Sequence, residues 1–304
     1  MSNAYLRFWG VRGSYTAPFD THLRVGGNTS CVEIRVDDHV MICDAGTGII
    51  PFGNEMMKQG KIRELLIILT HYHWDHICGL PFFVPAFVPD WKISFFGPGH
   101  NCRDIEEHVS AQMRAPYFPV GTETWLAKVK YLDPPRDHRL SYGPISLSYQ
   151  SVHHPGTTFG YRMNVNGRIV LYISDNECLF LDKSIRQKYG EFSAEEQELL
   201  SEMQREEYDA ELKLIAGADI LIHDAQYTLD DYRKKRGWGH SCYIDTVNTA
   251  IDAGVKELYL YHHDPNYDDS AIEKIHEHAV QIVQERSSSL KCEIAREGMV
   301  LDLS

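Results

Sequence analysis

Residues 65–80 read Leu-Leu-Ile-Ile-Leu-Thr-His-Tyr-His-Trp-Asp-His-Ile-Cys-Gly-Leu. The stretch opens as an apolar run over 65–69, short enough for a buried strand. Within two residues its character changes, and three imidazoles and a carboxylate fall in six positions, at His71, His73, Asp75 and His76. His71 and His73 are two apart, so both point the same way while the chain is extended. Asp75 and His76 are adjacent and diverge, which suits a second centre beside the first. A buried strand that ends in four such groups is costly to desolvate unless something pairs them. Neutral imidazole and carboxylate oxygen are ordinary ligands for zinc and its neighbours, so the stretch reads as a metal site.

Upstream, strands are predicted over 5–9, 29–36 and 40–43. The last runs into Asp44-Ala45-Gly46-Thr47-Gly48. A carboxylate followed by glycines at a strand end fits two structures: a cradle of free backbone N–H groups for phosphate, or a tight turn with an Asp cap. Downstream, residues 81–89 hold three prolines and read as a short helix that breaks into a rim loop. Residues 92–96 form a strand and 102–113 a helix, and the loop Pro116-Tyr117-Phe118-Pro119 is a candidate wall of the site. Residues 145–152 form a strand ending in His153-His154-Pro155-Gly156. Residues 159–165 and 168–174 make a hairpin across Asn166-Gly167, which ends in Asp175. A charged helical segment follows, with a capping box at Ser193 and Glu196, and residues 177–216 read as a helical insertion suited to a lid or a homodimer contact. Further strands are predicted over 219–222, 257–261, 292–295 and 299–303, and helices over 243–253 and 269–284.

Predicted strands end at Cys43, Thr70, Val152, Ser174, Ile222 and Tyr261, and each is followed directly by Asp, His or both. Ligands that gather beyond strand ends at one edge of a sheet are how open sheets build sites.

Composition narrows the function. The 304 residues suffice for one large or two modest domains, and 43% hydrophobic content supports a full core. A formal net charge of -13 argues against electrostatic capture of long nucleic acid. Seven cysteines without a Cys-x-x-Cys pair fit a reducing cytoplasm better than a disulfide framework. No apolar run approaches the roughly 18 residues of a membrane span, and the N-terminus has no signal-peptide core.

The pattern His-x-His-x-Asp-His resembles the signature of the metallo-β-lactamase superfamily of dinuclear hydrolases. The order of strand, Gly-Gly-Asn-Thr-Ser, strand, Asp-Ala-Gly-Thr-Gly and His cluster also resembles the N-terminal half of such a domain. The resemblance implies an α/β fold, a four-layer αββα sandwich, with residues 1–304 as a single domain and 177–216 inserted within it. It implies two divalent ions, with zinc expected and manganese or iron accepted by the same donors. One ion takes His71, His73 and His154, the other takes Asp75, His76 and His262, and Asp175 bridges them. His154 is preferred to His153 because the family pattern places the ligand directly before Pro-Gly. His262 is preferred to His263 because the ligand comes first after the strand. His153 then faces solvent or supports a ligand, His263 lines the pocket, and Asp44 accepts a hydrogen bond from a ligand histidine or a backbone N–H. His22, His39, His100, His108, His138, His276 and His278 are left for the surface.

His240 in Gly-His-Ser, together with His223-Asp224-Ala225-Gln226, resembles the paired motif of the RNase Z branch, in which an acidic residue orients a histidine beside the metals. Asp224 stands where tRNA-processing members usually carry Glu. The other reading of His240 is a residue that caps a helix. By the resemblance, the catalytic residues are His240, Asp224 and Asp75. A metal-bridging hydroxide attacks phosphorus, while His240 serves the leaving or equatorial oxygen. RNase Z enzymes carry a long basic arm between the third-motif His and the bridging Asp. His154 and Asp175 stand 21 positions apart, room for a hairpin alone. The reading is therefore a phosphodiesterase acting on a small, cyclic-nucleotide-like phosphodiester. The alternatives are a tRNA 3'-processing-type endoribonuclease and a lactonase- or thioesterase-type hydrolase.

Overall fold

The structure, a computed structural model, describes residues 3–181 and 192–304. One seven-stranded sheet holds β1 (Ala4–Gly10), β2 (Cys31–Val36), β3 (His39–Cys43), β4 (Glu64–Ile68), β5 (Lys92–Phe96), β6 (Lys128–Tyr131) and β14 (Val300–Asp302), in the order β14-β1-β2-β3-β4-β5-β6. The other holds β7 (Arg139–Tyr142), β8 (Ile145–Ser151), β9 (Phe159–Val165), β10 (Arg168–Ile173), β11 (Ile220–Asp224), β12 (Glu257–Tyr261) and β13 (Lys291–Ile294), in the order β13-β12-β11-β10-β9-β8-β7. Helices flank both sheets, giving the four-layer αββα sandwich that the resemblance implies.

The layers follow from strand alternation. In β3 and β4, Met41, Cys43, Leu66 and Ile68 pack in the core shared with the second sheet. Their neighbours Val40, Ile42, Leu65 and Ile67 pack instead with Ile49, Phe52 and Met56 of α1 (Ile49–Gln59) and with Ile105 and Val109 of α3 (Cys102–Ala111). Burial on both faces explains why these strands read as unbroken apolar runs. On the second sheet, Val247 and Ala250 of α6 (Tyr243–Asp252) and Ile272, Ile275 and Ala279 of α7 (Asp269–Glu285) join the shared core. Among the described residues, no helix is long and apolar enough to cross a membrane.

The direction of the strands decides where the chemistry collects. β3 and β4 run parallel, as do β10, β11 and β12. β8 pairs antiparallel with β9, which pairs antiparallel with β10, so β8 also runs the same way as β10. The C-terminal ends of β8, β10, β11 and β12 therefore lie along one edge. The sequence suggested one sheet edge; the structure uses two. Asp44 and the His71–His76 cluster leave the first sheet, while His154, Asp175, Asp224 and His262 leave the second. Hydrogen bonds join the two edges, from Phe159 N–H to Thr70 O and from the Tyr161 hydroxyl to Leu69 O.

Most predicted elements recur within a residue or two. Asn166 and Gly167 take φ of 54° and 88°, the backbone a two-residue hairpin of this hand needs. Residues 81–89 hold two short 3-10 turns in place of an α-helix. The capping box at Ser193 and Glu196 opens α4 (Ala194–Ile215), and α5 (Leu229–Lys235) follows β11. Residues 182–191 of the predicted insertion lie outside the described residues.

Candidate metal centre

β4 ends at Ile68, a short irregular stretch leads to His73, whose backbone is extended, and α2 (Trp74–Ile77) begins there. This change of backbone separates two pairs of side chains. His71 and His73 leave the stretch before the helix with their rings 4.4 Å apart. Asp75 and His76 leave the helical turn toward His262, whose Nε2 lies 3.1 Å from Asp75 Oδ2 and 3.3 Å from His76 Nε2. On the other side, His154 Nε2 lies 3.0 Å from His73 Nδ1.

Asp175 stands between the two sets, with its carboxylate oxygens divided between them. Oδ2 is 3.7 Å from His71 Nε2 and 3.7 Å from His154 Nε2. Oδ1 is 3.0 Å from His76 Nε2 and 3.5 Å from His262 Nε2. His71, His73 and His154 form one group able to hold a cation, Asp75, His76 and His262 another, and His71, His76 and Asp175 a third that links them.

Four of the ligand histidines are oriented from behind. His71 Nδ1 meets the Thr70 hydroxyl at 3.0 Å, His76 Nδ1 meets Asp44 at 2.8 Å, His154 Nδ1 meets Gly239 O at 2.8 Å, and His262 Nδ1 meets Gln226 Oε1 at 2.9 Å. With one ring nitrogen engaged, the Nε2 atoms converge with their lone pairs inward, the arrangement of metal-bound histidines. His71 Nε2 and Asp175 Oδ1 are buried and have no hydrogen-bond partner. Burial holds His71 and His73 below the usual imidazole range and His154 down at about 4, so they are neutral, the form that ligates. Burial alone would raise the Asp175 carboxyl, but His262, His76 and His71 outweigh it and keep it ionised. An orphaned donor set of this chemistry fits a pair of divalent ions.

His240 lies against this cluster, its ring 5.0 Å from those of both His262 and His154. Its Nδ1 is 2.8 Å from Asp224 Oδ2. Asp224 is fully buried and also accepts N–H bonds from Asn176, Gln226 and Ser241. Burial lowers the His240 pKa, but Asp224, followed by Asp175 and Asp75, reverses the sign and raises it. The helix-capping reading fails, because α6 begins after Cys242 and has no side-chain cap.

Residues 24–94 match the family described as Metallo-beta-lactamase superfamily. The chain carries a metallo-β-lactamase superfamily domain. It is 22% identical over 295 residues to ribonuclease Z of Thermoplasma acidophilum, across 89% of this chain and 90% of that one. The solved structure of unliganded yeast PDE1 shares 17% identity at a TM-score of 0.67, covering 100% of both chains. That of a diphosphatase from the PhnP family shares 18% identity at a TM-score of 0.60, covering 99% of this chain and 98% of the other. The protein is thus a hydrolase of metallo-β-lactamase fold, a fold that implies a dinuclear metal site.

Several expectations for this chain change in the structure. The Asp44 loop has no free N–H groups for phosphate: the amides of Asp44, Ala45, Gly46 and Gly48 go to backbone carbonyls and that of Thr47 to the Thr29 hydroxyl. Asp44 closes the turn and accepts from Thr70, His76 and Tyr172. His263 does not line the pocket; its Nε2 meets Ala295 O, and burial holds it neutral at about 3. His153 faces outward as the sequence implies, its Nε2 2.8 Å from Glu207 of α4. His22 is buried against Pro265 O, not on the surface. In the loop at 116–119, Phe118 packs on Phe82 and Tyr117 is 79% exposed. The predicted insertion begins at Glu177, whose carboxylate accepts N–H bonds from Gly237 and Gly239, and Gly239 O in turn fixes His154.

Sequence reasoning assigned no role to Gln226, Thr70, Ser14 or Tyr172. Gln226 and Thr70 orient His262 and His71, and Ser14 N–H reaches Asp75 Oδ2 at 2.6 Å. Gly13 has to be glycine there, since a Cβ would overlap the His262 ring.

Proposed function

We propose that this hydrolase cleaves a small phosphodiester, with a cyclic or linear nucleotide as the leading class. The observation that carries the reading is the His240–Asp224 pair, buried and stacked against the seven-donor cluster. A thioester, which expels a weakly basic thiolate, has little need of a carboxylate-held proton donor beside two ions. Departure of a poor alkoxide from phosphorus does.

In this reading His71, His73 and His154 would hold one ion and Asp75, His76 and His262 the other, with Asp175 placed between the two sets. A divalent pair held there would supply a water of lowered pKa and offset charge on the non-bridging phosphate oxygens. The chain's own residues do the rest. Asp224, fixed by three backbone N–H groups, keeps the His240 proton on Nδ1 and favours the imidazolium, which delivers a proton to the departing oxygen. Asp44, Gln226, Thr70 and Gly239 hold the ligand rings in register, which second-sphere partners do at a value of about 10–100-fold in metal affinity.

Small size of the substrate is supported by the connection between His154 and Asp175. It is used up by a short loop and the hairpin β9–β10, whose strands pair inside the second sheet. The net charge of -13 also disfavours a polyanion. A second reading, a tRNA 3'-processing endoribonuclease, draws on the ribonuclease Z relatives at 20–26% identity. A panel of bis-p-nitrophenyl phosphate, cyclic nucleotides, a lactone and a thioester, assayed with zinc and with manganese, tests the reaction class. Turnover of the phosphodiesters supports the proposal. Turnover confined to the lactone or thioester refutes it.

A further inference from the structure

A second group of donors lies outside the seven-donor cluster. Cys178 follows Asp175 by three residues, His223 immediately precedes Asp224, and Glu211 arrives from α4. Cys178 Sγ is 2.9 Å from Glu211 Oε1 and 3.8 Å from His223 Nε2, and that nitrogen is 3.9 Å from Glu211 Oε1. Cys178 and His223 are buried, and the Glu211 side chain is 12% exposed. His223 Nδ1 meets the carbonyl oxygen of Asp224 at 2.8 Å. A carbonyl accepts only, so the ring proton sits on Nδ1 and the Nε2 lone pair faces the thiol and the carboxylate.

A triangle with sides of 2.9, 3.8 and 3.9 Å has a centre about 2.1 Å from each corner. That is the length of a zinc bond to nitrogen or oxygen and slightly less than the about 2.3 Å to sulfur. Thiolate, imidazole and carboxylate together form a donor set for zinc-class ions. We propose that Cys178, Glu211 and His223 form a third, mononuclear transition-metal site that ties α4 to the strand ends bearing Asp175 and Asp224. On binding, the Cys178 S–H bond breaks, its proton passes to solvent and a sulfur–metal bond forms. The fourth position falls to water, since the side-chain oxygen of Asn176 is taken by His153 N–H.

The rival structure is a knot of hydrogen bonds. The Asn176 amide nitrogen lies 3.0 Å from Glu211 Oε1, 3.4 Å from His223 Nε2 and 3.6 Å from Cys178 Sγ, and its oxygen accepts from His153 N–H. That arrangement satisfies the three atoms without an ion, so the two structures have to be separated by a signal that sulfur alone gives.

Cobalt(II) provides it. The seven dinuclear donors include no sulfur, so thiolate-to-cobalt charge transfer in the near ultraviolet reports the third site alone. The full-length protein loaded with cobalt is expected to show that band and to bind three ions. Cys178→Ser is expected to lose the band and one ion while keeping the visible cobalt bands of the dinuclear centre, and Glu211→Gln to weaken binding of the third ion. Cys78→Ser, which alters the half-buried thiol near Thr29, is expected to retain the band. Two ions and no thiolate band in the wild type would overturn the third site and leave the dinuclear centre standing. A band that survives Cys178→Ser would overturn it too. If Cys178→Ser does not fold, the wild-type spectrum and ion count still decide.

Discussion

Replacing Asp224 by Asn tests the proton donor without removing it. The Asp224 carboxylate accepts four hydrogen bonds, from Gln226 and Ser241 N–H at Oδ1 and from Asn176 N–H and His240 at Oδ2. An asparagine keeps a single acceptor oxygen. Its best placement leaves that oxygen with Gln226 and Ser241 and turns the NH2 group toward His240 and the Asn176 N–H. His240 Nδ1 then has to accept, so the ring becomes neutral with its proton on Nε2. Asn176 N–H loses its acceptor, a loss of about 1–3 kcal/mol in a buried site. Asp224 is the largest favourable influence on the His240 imidazolium, whose pKa is raised despite burial. A raised pKa keeps the acid form present above the usual imidazole range, and activity that depends on it falls as pH rises through the raised value. In Asp224→Asn that limb moves to lower pH. At neutral pH kcat on a cyclic nucleotide is expected to fall about 10²–10⁴-fold, the worth of general acid catalysis, with metal content unchanged. A p-nitrophenyl diester, whose leaving group needs little protonation, is expected to lose far less. pH–rate profiles on both substrates make the measurement. An unmoved alkaline limb and equal losses on the two substrates would refute the assignment.

Three further outcomes are expected. Asp175→Ala removes both oxygens that join the two halves of the cluster and should drop bound metal from two ions per chain to one or none, as read by elemental analysis after purification without chelator. Gly239→Ala places a Cβ at a φ of +89°, against the His154 ring and Pro155; it should displace His154 and weaken metal binding by at least about 10–100-fold, which a chelator titration measures. Tyr172→Phe removes the hydroxyl that donates to Asp44 at 2.8 Å; it should cost about 0.5–1.5 kcal/mol in denaturant unfolding and leave the number of bound ions unchanged.

The ligand candidates were legible because each sits directly beyond a strand, where hydrophobic patterning stops and function begins. The His71 to His76 run carries the extended-to-helical switch within its own spacing, and Asp175 follows a hairpin marked by Asn166-Gly167. The orienting groups were not legible. Gln226 reaches His262 across 36 positions and Tyr172 reaches Asp44 across 128, and nothing local in the sequence marks such a pair. His263 was misread because two adjacent histidines look alike in sequence, while the backbone, at φ 59° for His262, sends one into the site and the other to Ala295 O. β6 and β7 escaped notice because both are four-residue strands with alternating half-burial at sheet edges. α1 was passed over although Ile49, Phe52, Gly53 and Met56 repeat at helical spacing; Pro51 lies in the first turn, where the missing N–H costs nothing.

The most direct test of the central claim is kcat/KM of the metal-loaded wild-type protein on a cyclic nucleotide, set against precursor tRNA under the same conditions. The dinuclear cluster, the His240–Asp224 pair and the 21-position connection from His154 to Asp175 predict efficient turnover of the small phosphodiester and little or no cleavage of the tRNA. Efficient tRNA cleavage without turnover of cyclic nucleotides or aryl phosphodiesters would contradict it.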